Sequence, residues 1–207
     1  MARSTPAERH RPRQDRSTQR VELILDTTAA LIDELGYGAL TTALIARRAG
    51  MSGPAIYRYF TDIDSIALAL ASRNLERYVE RCREFLASTV EWQNAIVAAI
   101  GTYADFFRHE PGFRRVRLGD TFAQDARGAR SSNKGVLARA VSELFVEKFE
   151  VLPRTELVLH VEVMVEIGEC LIARAFDSAP DGDPFFLGEC ERVMVNYLDE
   201  YLARPIS

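Results

Sequence analysis

The sequence predicts an all-α protein, a small three-helix head followed by a larger helical bundle. Three observations predict it. Apolar residues recur every three to four positions through most of the 207 residues, the spacing of a helix face. No strand-like alternation of any length appears. Gly and Pro fall where such helices would end, at Gly36, Gly50, Pro111-Gly112, Pro153 and between Pro180 and Pro184.

The elements follow in order. Residues 1–16 are polar and carry Arg3, Arg9, Arg11, Arg13 and Arg16, as expected of a disordered basic arm. The head spans 17–62. Its first helix carries Val21, Ile24, Leu25, Thr28, Leu31, Ile32 and Leu35. Ser17 or Thr18 caps its start, and Gly36 ends it with a positive φ. Thr41 caps a short second helix with Leu44, Ile45, Ala46 and Ala49, closed by Gly50. A third runs from about Gly53 to Tyr59. The body spans 63–207. Thr61 or Asp62 caps its first helix, which carries Ile66, Leu70, Leu75, Val79 and Phe85. Further helices are expected over 92–109, 131–150, 155–177 and 185–203, with a short segment at 113–119.

Composition narrows the function. With 47% hydrophobic and 27% charged residues, the chain suits a globular protein with a full core. No apolar run approaches the roughly 18–20 residues of a membrane span, and the N-terminus lacks the apolar segment of a secretory signal. Cys82, Cys170 and Cys190 are odd in number and far apart, which fits reduced thiols in the cytoplasm. Cys170 and Cys190 read as small buried hydrophobes. His10, His109 and His160 show no metal-ligand spacing with them, so no metal or other cofactor is expected. A catalytic constellation is missing too, and an enzyme is not expected. The net charge of −4 hides an asymmetry. Residues 1–60 hold nine Arg against six acidic residues, a balance of +3, and the remainder holds 17 basic against 24 acidic, a balance of −7. A basic head on an acidic body suggests a polyanion partner.

The stretch RRAGMSGPAIYRYF (47–60) sharpens that reading. Two short helices joined by a tight Gly turn make a helix-turn-helix, whose second helix can enter the major groove of DNA. Gly50 permits the turn. Ser52 caps the second helix, and Pro54 is tolerated in a first turn that has no N–H to lose. Gly53, Pro54 and Ala55 are small enough for close approach to bases. Tyr57 and Tyr59 can pack their rings and offer hydroxyls to phosphates, and Arg58 can reach phosphate or guanine. Thr41, Thr42 and Arg48 complete the candidate DNA contacts of this unit. Arg47 and Arg48 fit the charged outer face of the second helix equally well. Arg13 and Arg16, with Arg20, are candidates for a basic arm in the minor groove. Ile45, Ala49, Ile56 and Phe60 are the expected inward anchors.

These residues resemble the TetR family of bacterial transcriptional regulators. After an amphipathic helix and a Gly-Tyr-Gly turn, Thr41, Ile45, Ala46, Ala49, Gly50, Ser52, Ile56, Tyr57, Tyr59 and Phe60 match the family pattern in order and spacing. The match covers about residues 17–70. Three positions depart from it. Pro54-Ala55 stands where the family often has Gly-Thr, and Ile63 where it usually has a phosphate-contacting Lys. The resemblance implies a DNA-binding head and a helical domain for ligand binding and dimerisation. It further implies a repressor released from palindromic double-stranded operator DNA by a small apolar or partly apolar effector. An activator, or a helical interaction module without a ligand, is the alternative.

Two residue sets follow. A pocket between bundle helices would draw on Ile100, Tyr103, Phe107, Arg117, Phe122, Val141 and Phe145. His109, Arg114 and Arg115 read as surface or capping groups, and Asp105 and Glu166 as candidate buried polar groups. On the last two helices, Val161, Val165, Gly168 and Ile172 form one stripe at helical spacing, joined by Met194 and Tyr197. The stripe is a candidate homodimer interface, and serves equally well as intramolecular core.

Overall fold

The computed structural model describes residues 11–86, 88–117, 133–151, 156–177 and 179–203. Among them every regular element is helical: α1 (Arg11–Leu35), a 3-10 turn (Tyr37–Ala39), α2 (Thr42–Arg48), α3 (Gly53–Ile56), α4 (Ile63–Leu86), α5 (Trp92–His109), α6 (Phe113–Val116), α7 (Asn133–Lys148), α8 (Leu157–Phe176) and α9 (Pro184–Ala203). The chain divides into two compact units after Leu70. That is later than the expected break at residue 62, because the first turns of α4 belong with the head.

The head is built by its caps. Helix α1 starts at Arg11, so residues 11–16 are helical rather than part of an arm, and Ser17 and Thr18 lie inside the helix instead of capping it. Pro12 permits the early start, since the first turn of a helix needs no N–H from it. Residues 1–10 lie outside the described residues. Gly36, at φ +78°, ends α1. Thr41 caps α2 through a hydrogen bond that its hydroxyl accepts from the Leu44 N–H at 3.0 Å. The α2 exit is a Schellman turn: Gly50 takes φ +64°, its N–H donates to the Arg47 carbonyl, and the Met51 N–H donates to the Ala46 carbonyl. Ile24, Leu31, Ile45, Ile56, Ile66 and Leu70 are fully buried.

The larger unit packs α8 against α9 and α7, and α5 against α9 and α8. An aromatic cluster fills one end. Phe113 of α6 is fully buried and meets Tyr103, Phe106 and Phe107 of α5 with ring centroids 5.2–5.5 Å apart. Burying such a ring stabilises by about 1.5–3 kcal/mol. Arg114 clasps the loop before α9, as a capping group should: it donates to the Phe107 carbonyl and the Pro180 carbonyl, each at 2.6 Å, over the face of Phe176.

Several expectations need correction here. Cys170 is exposed, not buried, because it lies on the outer face of α8. Asp105 and Glu166 are exposed as well. The stripe offered as a dimer interface is covered by its own chain. Val161, Gly168 and Ile172 of α8 and Met194 of α9 are buried. A Cβ added at Gly168 would meet the Met194 sulfur at 2.8 Å, so the small residue admits α9 of the same chain. Val165 and Tyr197 are half-buried, and the Tyr197 hydroxyl lies 2.7 Å from His160 Nδ1.

Candidate functional site

The outer face of the helix-turn-helix is polar and aromatic on a fixed scaffold. Ile45 and Ile56 lock α2 to α3 from within, with Phe60 behind them, while Ala49 is half-buried. Past α3 the chain stays helical for one more turn, since the Phe60 N–H donates to the Ile56 carbonyl at 3.0 Å. That turn presents Tyr57 and Arg58 outward. Tyr57 is 59% exposed, and its hydroxyl lies 3.0 Å from the hydroxyl of Thr42 across the turn. Tyr59 is half-buried, with Ser52 and Pro54 exposed beside Gly53 and Ala55. Ser52 holds the cap position of α3 with extended backbone, but its hydroxyl makes no cap hydrogen bond. Thr41 spends its hydroxyl on the α2 cap.

The other cations of the head are placed differently. The Arg48 guanidinium donates two 2.8 Å hydrogen bonds to the Glu34 carboxylate, which holds the Glu34 carboxyl below its usual range. Arg47 and Arg16 are exposed, and Arg13 lies in the first turns of α1. Beyond the helix-turn-helix, Asp62 caps α4: its carboxylate accepts from the Ser65 N–H at 2.7 Å, and that bond lowers its pKa. The Tyr37 hydroxyl donates to Asp64 in the first turn of α4. Burial, and then that bond, push the Tyr37 pKa up.

The larger unit holds a cavity of about 190 Å³ between α4, α5, α7, α8 and α9. Of the residues offered for a pocket, Ile100, Tyr103, Val141 and Phe145 line it, together with Met164 and Ile172. Phe107 does not line it. It is stacked on Phe176 with centroids 5.0 Å apart, inside the aromatic cluster. Arg117 is not in the wall either, since it closes α6 with φ +44°. Phe122 lies outside the described residues.

The wall holds a carboxylate that the sequence reading passed over. Glu169 has a side chain only 11% exposed. It accepts from the Tyr103 hydroxyl at 3.1 Å and pairs with Lys134 at 2.7 Å. A signal existed: Glu169 follows Val165 by one helical turn and sits beside Gly168, on the apolar side of α8. Burial above all, and the Glu169 charge after it, drive the Tyr103 pKa well above its ordinary value. Burial also pushes Cys82, on the same wall, up to about 11. Both groups are therefore neutral at physiological pH. Among the described residues no cluster of His, Cys, Asp and Glu is arranged to hold a metal ion, and no helix is long and apolar enough to cross a membrane.

Comparison with known proteins decides the family. Residues 24–70 match the model of bacterial regulatory proteins of the tetR family, and residues 90–202 match the tetracyclin repressor-like C-terminal domain. The chain belongs to the TetR family. It is a transcriptional regulator of that family, and the first match contains the whole helix-turn-helix. A TetR-family regulator of Streptomyces coelicolor has 33% identity to it, covering 87% of this chain and 98% of the other with a TM-score of 0.76. The transcriptional activator FasR of Mycolicibacterium smegmatis is 27% identical over 166 residues, 79% of this chain and 72% of FasR. FadR of Bacillus subtilis, solved with stearoyl-CoA, has a TM-score of 0.62 at 13% identity, covering 85% of this chain and 98% of that one. At that identity the likeness is one of fold.

Proposed function

We propose that this TetR-family regulator is a cytoplasmic repressor that binds two-fold symmetric operator DNA as a homodimer and is released by a small effector. The observation that carries the effector is the mostly apolar cavity between the helices of the larger unit. A bundle interior that leaves such a space unfilled gives up packing, which a bound molecule restores. Two heads must reach successive major grooves, about 34–36 Å apart. An effector that prefers a conformation with the wrong spacing shifts the population off DNA, and a coupling of about 1–3 kcal/mol changes affinity roughly 5–150-fold.

To the head we assign the DNA contacts. Thr42 and Tyr57 act as a hydroxyl pair on phosphate, with Thr41 and Tyr59 flanking them. Arg58 reads phosphate or guanine. Ser52, Gly53, Pro54 and Ala55 approach the base edges, where the unused Ser52 hydroxyl can bond. Arg13 and Arg16 extend the basic surface along the backbone. Arg48, spent on Glu34, braces α2 against α1. The action is binding rather than catalysis.

The activator reading has one observation in its favour, the relative FasR, which is named a transcriptional activator. Selection from a random pool of DNA duplexes tests the core of the proposal. The expected product is an inverted repeat. Recovery of unsymmetrical sites, or of none, would overturn the two-fold model. Transcription in vitro from a promoter carrying the repeat then separates repressor from activator.

A further inference from the structure

The cavity wall has a chemical bias. Most of it is hydrocarbon, and its polar side chains are Tyr78, Cys82, Arg83, Tyr103 and Glu169. Arg83 is exposed and paired with Glu80 at 2.9 Å, so it belongs to the rim. Deeper in, the hydroxyl protons are spent. Tyr78 donates to the Ala99 carbonyl at 3.2 Å, and Tyr103 to Glu169 at 3.1 Å. The Cys82 thiol is a weak donor at best. What the wall has left to offer is therefore acceptor capacity, chiefly on the Glu169 carboxylate, whose two oxygens already take the Tyr103 hydroxyl and the Lys134 ammonium. Lys134 neutralises part of that charge from behind at 2.7 Å, and holds Glu166 as well.

Size narrows the ligand further. A cavity of about 190 Å³ is slightly larger than the ~150 Å³ apolar cavities that take up benzene. It suits one ring with a short substituent, not a long acyl chain.

We propose that the cavity takes a compact, uncharged phenol or cyclic alcohol. Its hydroxyl donates to the Glu169 carboxylate, and its hydrocarbon body packs on Ile100, Val141, Phe145 and Met164. An anionic head group is disfavoured there by the Glu169 charge. A pure hydrocarbon adds no donor for the remaining Glu169 lone pairs and gains only packing. This inference rests on the cavity being the effector site.

A matched set of probes tests it by calorimetric titration of the full chain: 4-ethylphenol, ethylbenzene, 4-ethylbenzoate and stearoyl-CoA. The phenol is expected to bind roughly tenfold tighter than the other three. In Glu169→Leu with Tyr103→Phe, which leaves Lys134 its bond to Glu166 and frees no hydroxyl in the wall, the phenol and ethylbenzene should bind alike. Val141→Trp should block both by filling the space. The wild-type ranking needs no variant to fold. Tighter binding of the benzoate or the acyl-CoA, blocked by Val141→Trp, overturns the ligand class while leaving the cavity as the effector site. Failure of all four at about 1 mM overturns the ligand class too. Phenol binding that survives Val141→Trp overturns the cavity as its site. Phenol binding in the cavity that leaves operator affinity unchanged overturns the effector role and leaves the cavity chemistry standing.

Discussion

Arg48 ends α2 and Tyr57 follows α3 on the same head, yet their polar ends are in different situations. The Tyr57 hydroxyl has only the Thr42 hydroxyl beside it, and hydroxyl pairs keep acceptor and donor capacity for a phosphate. Arg48 has both of its terminal nitrogens on Glu34. Arg58, by contrast, is exposed on the turn after α3. Substitutions should separate the three. Tyr57→Phe should weaken binding by about 1 kcal/mol across sequences, as loss of a backbone contact does. Arg58→Ala should cost roughly 1–3 kcal/mol and relax specificity at one base pair if it reads guanine. Arg48→Ala should change affinity by no more than roughly twofold, since an exposed ion pair contributes little. Fluorescence anisotropy on the selected duplex and on point-mutated copies checks all three. An Arg48→Ala loss exceeding that of Arg58→Ala would reverse the assignment. At this scale the sequence was partly legible. The Thr41 cap followed from its residue type, whereas Tyr57, expected to pack its ring, is 59% exposed. The Arg48 pairing and the burial of Glu169 did not, because each depends on a partner distant in sequence, and the Ser52 hydroxyl, expected as a cap, makes no cap hydrogen bond.

Elements were more legible than residues. The periodicity of 92–109 matches α5 to the residue, since Pro111 and Gly112 leave the chain no other stop. The start of α1 was missed because polar residues carry no apolar phase, although Arg and Gln are good helix formers. Helix α8 was found, but its apolar stripe was left open between core and interface. Apolar residues occupy more than one of its faces, so periodicity alone could not say which side meets α9 and which meets solvent. Gly168 settles the side, and it carries a prediction. In Gly168→Ala the new methyl meets the Sδ and Cε of Met194, the flexible end of an adaptable side chain. The helix gains about 1 kcal/mol in propensity, offset by the displacement of Met194. The thermal midpoint should therefore stay within a few degrees of wild type. Met194 also lines the cavity, so the displaced thioether should shrink it and weaken a cavity ligand. A drop of more than about 10 °C would mean that Met194 has nowhere to go.

For the whole molecule, the burial of Val161, Gly168, Ile172 and Met194 moves any two-fold contact to other surfaces of the same helices. On the side of α8 away from its buried stripe, Leu159 and Val163 are 59% and 44% exposed in the single chain. They lie one helical turn apart, followed by half-buried Ile167 and exposed Cys170. Exposed aliphatic residues in a row are what an isologous contact would cover. The acidic body gives that contact a purpose beyond area. In the proposed dimer, two segments 61–207 at a balance of −7 each repel one another, so apolar surface must outweigh charge for the heads to be held at a fixed spacing. Leu159→Glu with Val163→Glu should give a monomer that keeps its helical content and cavity but binds one half-site weakly. Val161→Asp places a carboxylate at a fully buried position. It should unfold the larger unit instead of dissociating it, because an unpaired buried charge costs several kcal/mol. Sedimentation at micromolar concentration with circular dichroism distinguishes the two outcomes. If the double Glu variant still sediments as a dimer, the contact lies off this face of α8. If Val161→Asp yields a folded monomer, the stripe read here as core is the interface after all.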